Sequence, residues 1–183
     1  MPCLITVDIE NGFSDDPAEV AALTRDLAAL GVVGVNIEDA LGDLAHRCEV
    51  IAAATSSGLF VNARTDTHWL KPDGVDLLDE AIRRVRSYVD AGADGVFIPG
   101  LADEESIRAA VAAVPVPLNV LALPAGPSFA RLAGLGARRV SCGSLPYRAA
   151  LSAGVRAVDA IAAGEPVPGD VLSYPETQAL SAS

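Results

Sequence analysis

The chain has 183 residues, 51% of them hydrophobic and 4% aromatic, and 24 Asp and Glu against 13 Lys and Arg give a formal net charge of −11. A chain of this length buries one good core and is too short for two, and its acidity, with no Lys/Arg cluster to offset it, argues against nucleic acid and anionic membrane surfaces as partners. No apolar run reaches the length of a membrane span, the amino terminus lacks a signal-peptide pattern, and Cys3, Cys48 and Cys142 are odd in number and lack metal-site spacing, so a cytoplasmic protein with free thiols is expected.

Residues 4–9 form a first apolar run rich in β-branched side chains, read as a strand of a buried parallel sheet, and Gly12 behind it suits a tight turn. A helix is predicted over 17–30, a strand over 34–37, a helix over 46–56 and a strand over 59–62. His68 then falls on a loop beside Trp69, and a helix runs over 75–91. Within that helix the Arg83-Arg84-x-Arg86 run reads as a solvated face paired with Asp79 and Glu80. Strand 95–98 ends at Pro99-Gly100, and helix 103–114, strand 118–123, helix 128–135, strand 139–142 and helix 147–163 follow. The stretch 164–183, with Pro166, Pro168 and Pro175, reads as an irregular tail. Gly31, Gly92 and Gly136 each directly follow the last apolar residue of a predicted helix (Leu30, Ala91 and Leu135), where a left-handed residue ends one helix before the next strand. The pattern is strand–helix throughout, a single α/β domain over 1–183 whose small side chains suit helices packed on a sheet buried on both faces.

Polar residues collect at the strands' carboxyl ends: Asp8-Ile9-Glu10 after the first, Asn36-Ile37-Glu38-Asp39 at the second, Asn62-Ala63-Arg64-Thr65-Asp66 at the third. Parallel α/β folds place their active sites there, and residues two apart on an extended chain face the same way. Clustered carboxylates repel one another, a repulsion that Mg²⁺ or Mn²⁺ relieves, and the planar fork of Arg64 suits a substrate carboxylate or phosphonate. The bland alternative is that Asp8, Glu38 and Arg64 pair as buried ions. His46, near a helix start, is an acid or base only if it approaches the mouth, and Ser141-Cys142-Gly143-Ser144 sits where barrels often bind phosphate, although Ser144 equally suits a helix cap.

Six segments taken in order resemble the isocitrate lyase and phosphoenolpyruvate phosphonomutase superfamily: Thr6-Val7-Asp8-Ile9-Glu10-Asn11-Gly12, Gly34-Val35-Asn36-Ile37-Glu38-Asp39, Val61-Asn62-Ala63-Arg64-Thr65-Asp66, Gly95-Val96-Phe97-Ile98-Pro99-Gly100, Pro117-Leu118-Asn119-Val120-Leu121-Ala122 and Arg139-Val140-Ser141-Cys142-Gly143-Ser144. The resemblance implies a TIM (β/α)8-barrel type of fold of which only about six βα units are present, a partial barrel lacking the first two. It implies Asp8, Glu10 and Glu38 as the Mg²⁺ (or Mn²⁺) ligands, Arg64 and Glu38 as catalytic residues, and Arg64 and Asn119 as substrate-binding residues. The implied reaction makes or breaks a C–C or P–C bond next to a small anionic 2-oxo acid through a pyruvate enolate, in a homo-oligomer, dimer or tetramer, built by exchanging helices near the carboxyl terminus. The sequence departs from the family in the expected loss of a Ser/Gly loop and a further metal-site aspartate with the first two units. It also lacks the Lys-x-Cys-Gly-His loop, so Cys48 is not read as a lyase cysteine, and the phosphonomutase gating loop. A shortened homologue acting as a binding or assembly partner is the alternative, and a barrel binding a phosphorylated metabolite is a weaker third.

Overall fold

A computed structural model describes residues 3–180. The chain divides into two compact units, one ending at Cys142 and the other beginning at Gly143. The first contains β1 (Thr6–Asp8), α1 (Pro17–Ala29), β2 (Gly34–Glu38), α2 (Leu44–Thr55), β3 (Phe60–Arg64), α3 (Thr67–Leu70), α4 (Leu77–Asp90), β4 (Gly95–Ile98), α5 (Glu104–Ala113), β5 (Leu118–Leu121), α6 (Phe129–Gly134) and β6 (Arg139–Ser141). The second contains α7 (Leu145–Ala163) and α8 (Tyr174–Leu180).

The six strands form one parallel sheet in the order β1-β2-β3-β4-β5-β6. Chain order equals spatial order because each crossover helix returns the chain beside the strand it left, the arrangement of a (β/α) barrel. The sheet curls into a partial barrel, and its two edge strands meet through one side chain, Arg139 Nη2 donating to Thr6 Oγ1 at 3.2 Å.

Alternation along the strands separates two chemistries. Val35, Ile37, Val61, Ala63, Val96, Ile98, Leu118 and Val120 face the helices and join Val20, Val50, Ile51, Ala81, Val85, Tyr88, Ile107, Ala110 and Leu132 in one apolar core. The opposite, concave face is read off the pairing register. One row runs Glu38, Arg64, Phe97, Asn119, Arg139, and a second runs Asp8, Asn36, Asn62, Gly95. Asn62, Phe97 and Asn119 are buried there, and Phe97 lies outside the apolar core. The sheet is thus buried on both faces at its centre, but only one face is hydrophobic.

Local chemistry fixes the helix ends. Asp16, Asp43, Asp76, Asp103 and Ser128 each accept a hydrogen bond from a first-turn N–H of the helix they precede. Gly31, Gly92 and Gly136 take φ of 89°, 100° and 101°, the left-handed conformation their spacing predicted. Ser144 is an N-cap by position but makes no side-chain capping bond.

Three expectations are corrected. The region beyond residue 164 is not wholly irregular, because Ser173 and Glu176 form a reciprocal capping box that starts α8. His68 lies on the single turn of α3 rather than on a loop. Arg84 is 8% exposed rather than solvated: α4 buries Ala81, Arg84, Val85 and Tyr88, one face at helical spacing. Arg83 does pair with Glu80, and Arg86 donates to the Ala113 carbonyl.

Candidate active site

The sheet's carboxyl end gathers the strand-end residues singled out in the sequence. Asp8 ends β1 with its carboxylate exposed, and its Oδ1 accepts the Glu10 N–H at 3.0 Å. This bond and a φ of 48° at Glu10 turn the chain sharply, while the Glu10 carbonyl accepts the Glu38 N–H at 2.7 Å, so the β1 end lies level with the end of β2. Glu38 ends β2 half-buried, and Arg64 ends β3 beside it.

Arg64 is the centre of the cluster. Its Nη1 meets Glu38 Oε2 at 2.8 Å, while Nε and Nη2 meet Asp66 Oδ1 at 2.8 and 2.6 Å. The guanidinium carbon stands 5.8 Å from the centroid of the Phe97 ring, which supports it from the next strand. Glu38 and Arg64 therefore pair as the bland alternative anticipated, but the second acid is Asp66 and not Asp8. The fork is occupied within the protein, and an incoming carboxylate reaches Arg64 in competition with Glu38 at Nη1.

Two carboxyls here lie above the usual range. Burial pushes Glu38 up, Arg64 draws it back down, and the charges of Asp66, Asp8 and Glu10 push it up again. Burial likewise raises Asp66 against its hydrogen bond to Arg64 and that residue's charge, with Asp39 adding repulsion. The site thus carries more negative charge than one arginine balances.

That imbalance is what a hard cation would relieve, and the exposed carboxylates of Asp8 and Glu10 next to Glu38 are hard oxygen donors of the kind Mg²⁺ prefers. Among the described residues no group of three or more His, Cys, Asp or Glu side chains is arranged to hold a metal ion. Mg²⁺ is commonly bound by one or two carboxylates with water completing its octahedron, so the donor set fits that ion and fits poorly a metal needing a full protein cage.

Asn119 is buried on β5, donating from Nδ2 to Ser141 Oγ at 2.9 Å and accepting from the same hydroxyl at 3.3 Å. Asn62 donates to Asn36 Oδ1 at 2.8 Å. His46, near the start of α2, lies 3.7 Å from Glu49 and lines a separate cleft of about 390 Å³ with Asn11, Asp15, Asp39 and Arg47. His68 is half-buried, and burial lowers its pKa. Burial raises the Cys48 thiol, whose Sγ–H points to the Ser87 carbonyl at 3.6 Å, an inert setting.

Sequence reasoning passed over one buried carboxylate. Asp39, 2% exposed, accepts the Leu41 and Asp66 N–H groups at Oδ1, both at 3.0 Å, and the Tyr88 hydroxyl at 2.6 Å and Arg84 Nη1 at 3.2 Å at Oδ2. The available signal was the spacing of Arg84 and Tyr88 on the apolar face of α4.

The sequence profile described as phosphoenolpyruvate phosphomutase matches residues 1–162. An uncharacterized protein of Mycobacterium tuberculosis is 40% identical over 187 residues, covering 98% of this chain and 69% of that protein. The oxaloacetate decarboxylase of Ectopseudomonas mendocina is 33% identical over 139 residues, covering 75% of this chain but only 42% of the decarboxylase. Among solved structures, a Burkholderia cenocepacia protein described as a lyase/mutase superposes with a TM-score of 0.85 at 33% identity, over 97% of this chain and 69% of that one. Among the described residues no helix is long and apolar enough to cross a membrane.

Proposed function

Because the chain belongs to the phosphoenolpyruvate phosphomutase family, we propose that it makes or breaks a C–C or P–C bond next to a small anionic 2-oxo acid. In the cleavage direction the electron pair of the breaking bond passes into the 2-oxo acid, which leaves as a pyruvate-type enolate. The observation that carries this reading is Arg64 set between Glu38 and Asp66 on a polar concave face, beside the exposed acids Asp8 and Glu10. The decarboxylase relative, by its name, acts on a 2-oxo acid.

In this reading Asp8 would hold Mg²⁺ or Mn²⁺ directly, with Glu10 and Glu38 reaching it largely through water. When bound, the ion supplies a Lewis acid that polarises the 2-oxo group and favours its enolate. Arg64 binds the substrate carboxylate from Nη1 while Asp66 keeps its other edge fixed, so the arginine is oriented before substrate arrives. Asn119 adds a buried amide donor to the pocket wall, held in place by Ser141. Glu38 links the two halves, one of the acids that attract the cation and also the group an incoming carboxylate displaces from Arg64.

Calorimetry with Mg²⁺ and thermal melting with pyruvate or oxaloacetate in its presence test the reading. Mg²⁺ binding that Asp8→Ala weakens strongly, and a ligand-induced rise in Tm, are expected. Arg64→Lys should weaken 2-oxo acid binding about tenfold or more, because a point charge cannot reproduce the planar fork. Equal Mg²⁺ binding by Asp8→Ala rejects the metal assignment. A wild-type protein indifferent to both acids rejects the substrate class.

A further inference from the structure

We propose that Tyr88 and Arg84, on the helix-covered side of the sheet, are positioning residues for Arg64, acting through Asp39 and then Asp66. The proposal rests on the reading above only for the purpose of the device. The device itself is in the contacts.

The chain of contacts is continuous. The Tyr88 hydroxyl donates to Asp39 Oδ2 at 2.6 Å, and Arg84 Nη1 donates to the same oxygen at 3.2 Å. Arg84 is fixed in turn by Nε on Glu80 Oε1 at 2.7 Å and by Nη1 on the Gly42 carbonyl at 3.1 Å. The other Asp39 oxygen accepts the Asp66 N–H, and Asp66 Oδ1 grips Arg64 through Nε and Nη2. Asp66 Oδ2 accepts the Ala40 N–H at 3.2 Å, and the Asp39 N–H donates to the Arg64 carbonyl at 3.1 Å, which closes the network back on β3.

Two features show more than a generic buried ion pair. The segment between Asp39 and Gly42 carries Ala40 at φ 45° and Leu41 at φ 56°, conformations that non-glycine residues adopt only when their surroundings hold them. The Leu41 N–H on Asp39 and the Gly42 carbonyl on Arg84 are what hold them here. Next, Asp39, Asp66, Arg84 and Tyr88 are all buried, so water competes little for the bonds that run from the helix to the strand end. Burial and the adjacent Asp39 carboxylate hold the Tyr88 phenol well above its usual range, so it remains a donor at any working pH. Of the large polar side chains on α4, only Arg84 and Tyr88 are placed to do this: Arg83 turns to Glu80 at the surface, and Arg86 to Ala113.

The test reads Arg64 directly. In a ¹H–¹⁵N spectrum of arginine Nε–H groups, the Arg64 signal is the one lost in Arg64→Lys. In Tyr88→Phe and Arg84→Lys it should shift, and its hydrogen exchange should speed up on the order of tenfold, the scale of one lost hydrogen bond. Arg86→Lys, a substitution on the same helix outside the network, should leave it unmoved. Lower Tm in Tyr88→Phe and Arg84→Lys with an unmoved Arg64 signal means a merely structural role and overturns the proposal. Pyruvate affinity in the presence of Mg²⁺ gives the second readout: Tyr88→Phe should weaken it in the wild-type background and change nothing further in Arg64→Lys. Equal weakening in both backgrounds overturns action through Arg64. If wild-type protein binds no pyruvate while the Arg64 signal still responds to Tyr88→Phe, the proposed substrate class fails and the positioning network stands.

Discussion

Replacing Arg64 by methionine removes the cation between Glu38 and Asp66 and keeps an unbranched stem of similar bulk. Asp66 is 2% exposed and loses contacts of 2.6 and 2.8 Å, and Glu38, part-exposed, loses one of 2.8 Å. Removing one partner of a buried pair costs roughly 3–5 kcal/mol, because the remaining charge is stranded away from water. Asp66 keeps its bond from the Ala40 N–H, and the more exposed Glu38 contact adds about 1 kcal/mol or less, so about 3 kcal/mol at neutral pH is the expected loss. The deficit should depend on pH with a definite sign. Both carboxyls are already raised by burial, with Arg64 pulling them down, so the substitution raises them further. Between the wild-type values and the higher variant values, the variant's native state carries protons that the wild type lacks. The deficit is therefore smallest in acid and grows as pH rises through that window. Urea unfolding of both proteins from about pH 5 to about pH 8 measures it. A deficit that is the same at every pH, or below about 1 kcal/mol at neutral pH, would refute the placement of Arg64 as the counter-ion of two partly desolvated acids.

Two other expectations follow from packing. Gly12 takes φ 100° and a Cβ there would lie 2.8 Å from Val20 Cγ2 in the core, so Gly12→Ala should cost about 2–4 kcal/mol in a chemical or thermal melt. A loss below about 1 kcal/mol would mean that the β1–α1 turn relaxes freely. Leu4 and Ile5, ahead of the edge strand β1, are 79% and 58% exposed, and apolar surface beside an unpaired strand edge favours self-association. Light scattering at low micromolar concentration should show a dimer or tetramer, and a stable monomer that unfolds cooperatively would reject that assembly.

Strand and helix positions were legible because buried parallel strands are continuous apolar runs and the helices between them carry their own punctuation. Gly95–Ile98 was delimited as observed, and β1, Thr6–Asp8, proved shorter than its apolar run at both ends, with Leu4 and Ile5 exposed ahead of it and Ile9 buried behind it. What was missed is short or reciprocal. The single turn of α3 has no period to detect, and α8 is announced only by Ser173 and Glu176 three residues apart, a pattern outweighed by the prolines around it.

The site divides along the same line. Glu38 and Arg64 were legible as neighbours because they end adjacent parallel strands, and Asp8 ends the strand before them, but Glu10 lies past the end of β1 at φ 48°, outside the alternation that pairs residues two apart. The partner of Arg64 was misjudged for a related reason. Counting along β3 puts Asp66 on the same side as Arg64, yet nothing in the count says that Asp66 is buried and Asp8 exposed. That difference is created across the sheet: Asp66 sits under Ala40 and Asp39 of the β2–α2 loop, while β1 is an edge strand with a neighbour on one side only. Arg84 carries the sharper lesson. A charged residue amid other charges suggests solvent, but Ala81, Arg84, Val85 and Tyr88 fall on one helical face, and an arginine on an apolar face must find its acid within the fold. Reading the charge run by period instead of by composition would have asked which buried carboxylate it meets, and Asp39, next to Glu38, was the available answer.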